Sequence, residues 1–325
     1  MNAYLGRGDR TAPAHGDPGH GTALALLSEL DRLDYDFLAP TPASHARVLE
    51  RDGREVGDNL QDLLGWSRPC RSDDLPASVL RALEGAEFLE RRGDGLVASR
   101  VRVSRVFGNL FIHSRFPTVE QDAVFLGPDS HRFADYILRN LDGLAGRVRI
   151  LDYGAGAGVG GITAASHLAG ASLRLADINR HALALAGTNA AHAGIDFALE
   201  QVQSPDELAG GFDLIVMHPP FMIDTERRAY RDGGDLFGGR LSLDWALGGI
   251  CLLAPGGRLV MHTGVSIVAG RDVVRDALAQ RLPSADYALD YRLLDPDIFG
   301  DELSSEAYAG VDRIAAVGLR IDRHP

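Results

Sequence analysis

The apolar run Phe212 to Met217 ends in His218-Pro219-Pro220-Phe221. A short apolar run of this kind reads as a buried β-strand, so these residues stand where a strand leaves its sheet. An imidazole, two prolines and an aromatic face follow one another there. A neutral imidazole, with an unperturbed pKa of about 6.5, can accept a hydrogen bond and can also take a proton. That pair of abilities suits an acceptor that sheds a proton, such as a hydroxyl, an amine or an imidazole-like nitrogen, better than the exocyclic amine of a nucleobase. A histidine that only packs is the plain alternative.

A second chemical cluster follows the apolar run Val148 to Leu151: Asp152-Tyr153-Gly154-Ala155-Gly156-Ala157-Gly158. Glycines at 154, 156 and 158 let a ligand lie against the backbone while a helix starts beneath it. Gly156-x-Gly158-x-x-Gly161 also satisfies the dinucleotide fingerprint, which keeps a nicotinamide cofactor open. Asp177 closes the next strand-like run, about 20 residues beyond the glycines, where a carboxylate accepts both hydroxyls of a ribose. Asp152 separates the two cofactors. Facing a pyrophosphate it would be repelled, whereas a ligand carrying an ammonium and a sulfonium, as S-adenosylmethionine does, would be attracted. Capping the first helix or ordering the loop is the alternative role for Asp152.

Positioning these residues requires alternating strands and helices. Val148–Asp152, Leu173–Ala176, Leu214–Met217 and Leu259–Thr263 read as strands; Gly158–Leu168, Arg180–Ala191, Leu241–Leu253 and Asp272–Leu282 read as helices. The pattern predicts an α/β fold with a doubly wound, Rossmann-like sheet, ligands lying at the carboxyl ends of its strands. The N-terminal third differs. Helical periodicity in Ala23–Leu33, in Ala46–Leu64 and from Pro76 through Phe88 precedes a Gly93-Asp94-Gly95 turn and alternation through Val97, Val101, Val103 and Val106. That is a mainly helical cap in winged-helix order, for covering substrate or for a homodimer. The expected divisions are a flexible tail over 1–20, the cap over 21–115 and the ligand-binding domain over 116–325.

With 325 residues and 45% hydrophobic content the chain can fill two domains. No apolar stretch approaches the roughly 20 residues of a membrane span, and the N-terminus lacks a basic-then-apolar leader, so a cytoplasmic location is expected. Cys70 and Cys251 fit no metal spacing, and no metal is expected. The net charge of −12 argues against broad phosphate-backbone binding. All cationic side chains are arginines; Arg100, Arg102 and Arg105 read as the solvated face of a strand.

Taken together, Asp152-x-Gly154-x-Gly156-x-Gly158, Asp177-Ile178-Asn179 with Ala182-Leu183 and Asn189, and Phe212-Asp213-Leu214-Ile215 leading to His218-Pro219-Pro220-Phe221 resemble the class I S-adenosylmethionine-dependent methyltransferases of the N-P-P-Y/F group. His218 stands where that group has Asn or Asp, either marking a changed substrate or simply substituting as an acceptor with the substrate unchanged. Phe125-Leu126-Gly127-Pro128-Asp129, Asp295-Pro296-Asp297-Ile298-Phe299-Gly300 and Asp312-Arg313-Ile314-Ala315 are similar to a bacterial branch with an N-terminal cap. The resemblance covers about residues 120 to 322.

It implies that Asp152, Gly154 and Gly156 hold the methionine portion of S-adenosylmethionine, Asp177 the ribose and Ile178 one adenine face, with Phe125 and Asp129 closing over the cofactor. Pro219 would offer its carbonyl to a planar nitrogen and Phe221 would stack on it. Tyr153 is a candidate for a cation–π contact with the sulfonium. In the loop after the motif, Tyr230 and Arg231 are candidate substrate residues; Arg231 either binds a substrate carboxylate or, in a plain surface loop, pairs with an acid such as Asp232 or Asp235. The acids Asp295, Asp297, Asp301 and Glu302 either receive a cationic amine or serve turns and solvation.

The expected function is methyl transfer to nitrogen, with oxygen second, of a small molecule in natural-product biosynthesis, nucleic acid being set aside. One alternative is a non-methylating enzyme that cyclises S-adenosylmethionine to a small ring amino acid and methylthioadenosine. Another is a glutamine-N5 or an rRNA or DNA base N-methyltransferase.

Overall fold

The computed structural model describes residues 18–53 and 55–325. Most of the expected tail, residues 1–17, lies outside the described residues, and the chain is already helical at Pro18. Helices α1 (Pro18–Arg32), α2 (Pro42–Asp52), α3 (Leu60–Leu64) and α4 (Ala77–Gly85) alternate with short strands β1 (Cys70–Arg71), β2 (Leu89–Arg91) and β3 (Leu96–Ser99). The single helix expected over Ala46–Leu64 is two. Gly53 ends α2 in the left-handed region at φ 61°, and the Asn59 side chain accepts from the Asp62 N–H to start α3 afresh.

The three strands pair in the order β1-β3-β2, as a winged-helix sheet does, with the Gly93–Gly95 turn as its wing. Between β1 and β2, however, there is only α4 and a single 3₁₀ turn, Ser72–Asp74, where a helix-turn-helix needs two helices. The winged-helix expectation is therefore met in the sheet and not in the helices.

A hairpin of β4 (Val101–Val106) and β5 (Asn109–Ser114) connects this part to the α/β core. Arg102, expected on a solvated face, points the other way and is 2% exposed, because the hairpin is covered on both sides: Val103, Val106, Phe111 and Ile112 share one core cluster with α1 and α7 (Arg180–His192). Arg100 is exposed as expected, and Arg105 reaches Asp31 at 2.8 Å. Asn189, on α7, takes the Ile112 N–H at 2.9 Å and gives its amide to the carbonyls of Ile112 and Ala157, at 3.2 and 2.9 Å. One side chain thus ties the hairpin to the core.

The core continues through α5 (Pro128–Leu138), β6 (Arg149–Tyr153), α6 (Val159–His167), β7 (Ser172–Asp177), β8 (Phe197–Gln201), β9 (Phe212–Met217), α8 (Arg240–Ile250), β10 (Leu253–Val268), β11 (Arg271–Asp272), α9 (Val273–Arg281), β12 (Tyr287–Asp295) and β13 (Arg313–Arg323). The sheet order is β12-β13-β10-β9-β6-β7-β8; β6 to β10 run parallel, β13 runs antiparallel to β10, and β12, antiparallel to β13, returns to the common direction. This is the doubly wound α/β sheet expected from the sequence.

Alternation along the central strands sends Ile150, Leu214, Val216 and Val260 to the face shared with α5 to α7, and Leu151, Ile215, Met217, Leu259 and Met261 to the face shared with α8 and α9. The winding reverses at β6, whose neighbours are β7 on one side and β9 on the other. A crevice opens at the carboxyl ends there, beside Asp152 and His218.

Candidate active site

A cavity of about 450 Å³ fills this crevice, lined by the residues expected to hold cofactor and acceptor, from Phe125 and Asp129 through Asp152, Asp177 and His218 to Arg231, but not by the acids Asp295 to Glu302. Three of its walls come from strand ends. Beyond β6 the chain turns tightly, with Gly154 at φ 71°; a side chain there would run into the Trp245 ring, so only glycine keeps the turn against α8. Asp177, at the end of β7, accepts the Gly156 N–H through Oδ2 at 2.9 Å and the Asn179 N–H through Oδ1 at 2.8 Å. Its carboxylate is therefore fixed by the backbone on both sides. Ile178 next to it is 54% exposed, an apolar platform presented to the cavity.

Asp152 is buried at the cavity floor, where its Oδ2 accepts the Gly161 N–H at 2.7 Å. It does order the start of α6, and it also lines the cavity. Among the described residues no cation pairs with it, and burial, with Asp177 adding repulsion, pushes its pKa up to about 8. Burial likewise raises Asp177 and Asp129. Asp129, at the start of α5, is held by Arg132 at 2.8 Å, and that guanidinium also takes Asp295 at 2.9 Å. Asp152 and Asp177, neither of them paired with a cation among the described residues, offer nothing to hold a pyrophosphate and, once ionised, fit a ligand with ammonium and sulfonium charges. That lining disfavours the dinucleotide alternative. Tyr153 turns its ring edge-on to Trp245, centroids 4.7 Å apart, and is 4% exposed.

The acceptor side is built differently. His218 leaves β9 with Phe133 at 5.2 Å and Phe221 nearly parallel to it at 6.1 Å. The Phe221 ring lies over Gly264 of β10, where any side chain would overlap it. Behind His218 stands a residue that the sequence does not single out: His262, fully buried on β10, whose Nδ1 lies 3.2 Å from His218 Nε2. Burial lowers His218 to about 4 and His262 well below the ordinary value, so the pair is neutral across physiological pH. His218 is thus an acceptor first; as a base it is weaker than its residue type suggests.

Tyr230 donates to the Thr118 carbonyl at 2.9 Å and lines the cavity. Arg231 pairs with neither Asp232 nor Asp235: its guanidinium meets Glu302 at 2.8 Å and Asp224 at 3.7 Å. The acidic group near the C-terminus resolves into separate ion pairs in the same way, Asp295 with Arg132, Asp301 with Arg47 and Glu302 with Arg231. Its reading as a receptor for a cationic amine does not survive. Trp245 and Phe133 also line the cavity without standing out in the sequence, each a single aromatic in a segment with a plain helical period. His262, a polar residue inside the run Leu259–Thr263, is the one with a visible signal. Among the described residues no cluster could hold a metal ion, and no helix is long and apolar enough to cross a membrane.

Residues 119–231 match the family model of the methyltransferase small domain. The release factor glutamine methyltransferase of Deinococcus radiodurans is 31% identical over 237 residues, which cover 69% of this chain and 79% of that one. The enzyme of the same name from Agrobacterium fabrum is 29% identical over 252 residues, 73% and 81% of the two chains. The ribosomal RNA small subunit methyltransferase C of Pasteurella multocida is 37% identical over a shorter 129 residues, 38% and 35%. These relatives are named for a protein and an RNA acceptor, which overturns the expectation of a small natural-product acceptor and the setting aside of nucleic acid. The small-acceptor expectation rests on His218 and the nucleic-acid one on the net charge of −12; a neutral imidazole can stand in for a carboxamide oxygen as acceptor, so the substitution does not require a changed substrate.

Proposed function

Because the chain belongs to the class I S-adenosylmethionine-dependent methyltransferases and S-adenosylmethionine is its cofactor, we propose that it methylates the side-chain carboxamide nitrogen of a glutamine in a protein of the release-factor kind. The observation that carries this reading is that His218 and Phe221 share one cavity with the Asp152 and Asp177 cradle. A carboxamide is planar and neutral, and its nitrogen is a poor nucleophile until its N–H groups are held. His218 takes the place of the Asn of the N-P-P-Y/F motif, with the Pro219 carbonyl as the second acceptor and Phe221 against the plane of the amide. Support also comes from extent: the two glutamine methyltransferases align over about four-fifths of their own length, the RNA enzyme over 35%.

The cofactor, when bound, supplies a methyl group on a sulfonium centre. Asp177 would accept from its ribose, Ile178 would pack on its adenine, and Asp152 would face its cationic end. Phe125 and Asp129, which line the same cavity, would close over it. As the carboxamide nitrogen gains a methyl group it must lose a proton. His218 takes it through Nδ1, since Nε2 is engaged by His262 at 3.2 Å. A protonated amide nitrogen is a much stronger acid than an imidazolium of pKa about 4, so this weak base suffices.

Purified protein with methyl-labelled S-adenosylmethionine and a bacterial release factor should yield labelled N5-methylglutamine on digestion. Label found instead in the exocyclic amine of a ribosomal RNA base would move the acceptor to RNA, the second reading, which the 37% identity to the rRNA enzyme supports. Methylthioadenosine formed from the cofactor with no acceptor present would overturn both.

A further inference from the structure

A second cavity of about 160 Å³ adjoins the first, Pro42, Phe125, Tyr230 and Arg231 lining both. Three arginines reach it: Arg102, Arg228 and Arg231. Two are already neutralised. Arg228 grips Asp224 with both branches, Nε at 2.9 Å, and Arg231 holds Glu302 at 2.8 Å. Arg102 is different in kind. It is 2% exposed, comes from the β4–β5 hairpin rather than the core, and spends only its Nε, on the Ser114 carbonyl at 3.0 Å.

Among the described residues no carboxylate faces Arg102. The titratable groups around it are Tyr35, His45 and His113, and burial holds both histidines neutral. His45 stacks on Phe116, centroids 3.9 Å apart, and Phe116 with Pro40 and Pro42 gives the cavity apolar walls. A guanidinium held dry without a counter-ion is destabilising unless something anionic arrives, and in an apolar setting the resulting pair is strong and directional.

We propose that Arg102 forms an anion subsite for the substrate, taking the side-chain carboxylate of an Asp or Glu that flanks the methylated residue. This rests on the protein-acceptor reading above. A carboxylate is favoured because, of the three arginines in the cavity, only Arg102 is uncompensated, and there is little room: a single small anion satisfies it, while a polynucleotide would bring further phosphates past Asp224 and Glu302, whose arginines are already taken. The subsite also gives the cap a task, since Arg102 lies on the hairpin and its anion would bridge the hairpin to the catalytic loop.

The test has two parts. First, N-acetylglutamate and its neutral isostere N-acetylglutamine are titrated into the full-length protein and thermal unfolding is followed. The acid should raise the midpoint by a few degrees, the amide should not, and Arg102→Met should abolish the difference. Equal behaviour of the two compounds on the wild type would overturn the subsite, whatever the variant does. This part needs no methyl acceptor, so it stands if the release-factor reading fails. Second, with a release factor as substrate, Arg102→Met should raise KM at least ten-fold with cofactor Kd unchanged. Neutralising the flanking acid of the substrate should raise KM for the wild type and not for the variant. An unchanged KM in a folded variant overturns the proposal. So does an oligonucleotide phosphate that shifts the midpoint when the carboxylate does not.

Discussion

The two halves of the active site are made by opposite means. On the cofactor side, Asp152 and Asp177 lie at the ends of strands β6 and β7 with Gly154 and Gly156 in the turn after β6, and the two carboxyls are fixed by backbone N–H groups. On the acceptor side, His218, His262, Tyr230, Arg231 and Arg102 come from separate stretches of chain and are oriented by one another's side chains or by distant carbonyls. A ligand common to a whole enzyme class can be met by a turn; an acceptor peculiar to one enzyme must be met by assembled side chains.

The contrast can be broken most sharply at Asp177. Asp177→Ala removes the acceptor for two ribose hydroxyls and frees two backbone N–H groups, and cofactor affinity by calorimetry should fall about 10²- to 10⁴-fold. Retained binding would dissolve the cofactor half altogether. On the other side, His218→Ala should cut kcat about 10²-fold with cofactor Kd unchanged, and His218→Asn should lose less, since it can still align the amide. If the Asn variant matches the wild type, proton transfer is no part of the role of His218. Because burial holds this imidazole at about 4, kcat at saturating cofactor should be flat in pH from neutrality down to about pH 5 and fall only near 4.

Asp152 sharpens the comparison through pH. Its carboxyl is protonated in the free protein below about pH 8, and a cationic ligand needs it ionised. Binding therefore releases a proton, and cofactor affinity should climb up to about ten-fold per pH unit towards pH 8, a slope that Asp152→Asn removes. The sign for folding is the reverse. From about pH 4 to 8 the unfolded chain has lost a proton that the folded chain keeps, so this group lowers stability as pH rises, and Asp152→Asn should raise the thermal midpoint of the ligand-free protein at pH 8. The smallest effect belongs to Tyr230→Phe, which forfeits one hydrogen bond to the Thr118 carbonyl, worth about 1 kcal/mol, and should raise the acceptor KM a few-fold only.

The same asymmetry governs how much of the site is legible in the sequence. Strand ends are legible because an apolar run, a turn and the polar residue after it are contiguous, so Asp152, Asp177 and His218 can all be assigned to the crevice from residue order alone. Partners across the sheet are not contiguous. His262 lies 44 positions beyond His218, and only the register of β9 against β10 brings them together. Arg102 is hidden for a related reason: strand alternation gives two faces but not which of them is covered, and the hairpin is covered on both. In the cap, helical period alone carries Ala46–Leu64 across Gly53 and Asn59, where a left-handed residue and a side-chain cap outweigh propensity.

The Asn189 amide sets a limit on how far the enzyme can be dissected. Its three hydrogen bonds run to both sides of Ile112 and to Ala157 in the cofactor turn. A catalytic fragment beginning after the hairpin would leave a buried carboxamide facing apolar side chains with two of its three bonds gone, directly beneath the turn that holds the ligand. The shortest active piece of this chain therefore begins before Val101, and swapping its cap for that of a relative means carrying the hairpin along with α7.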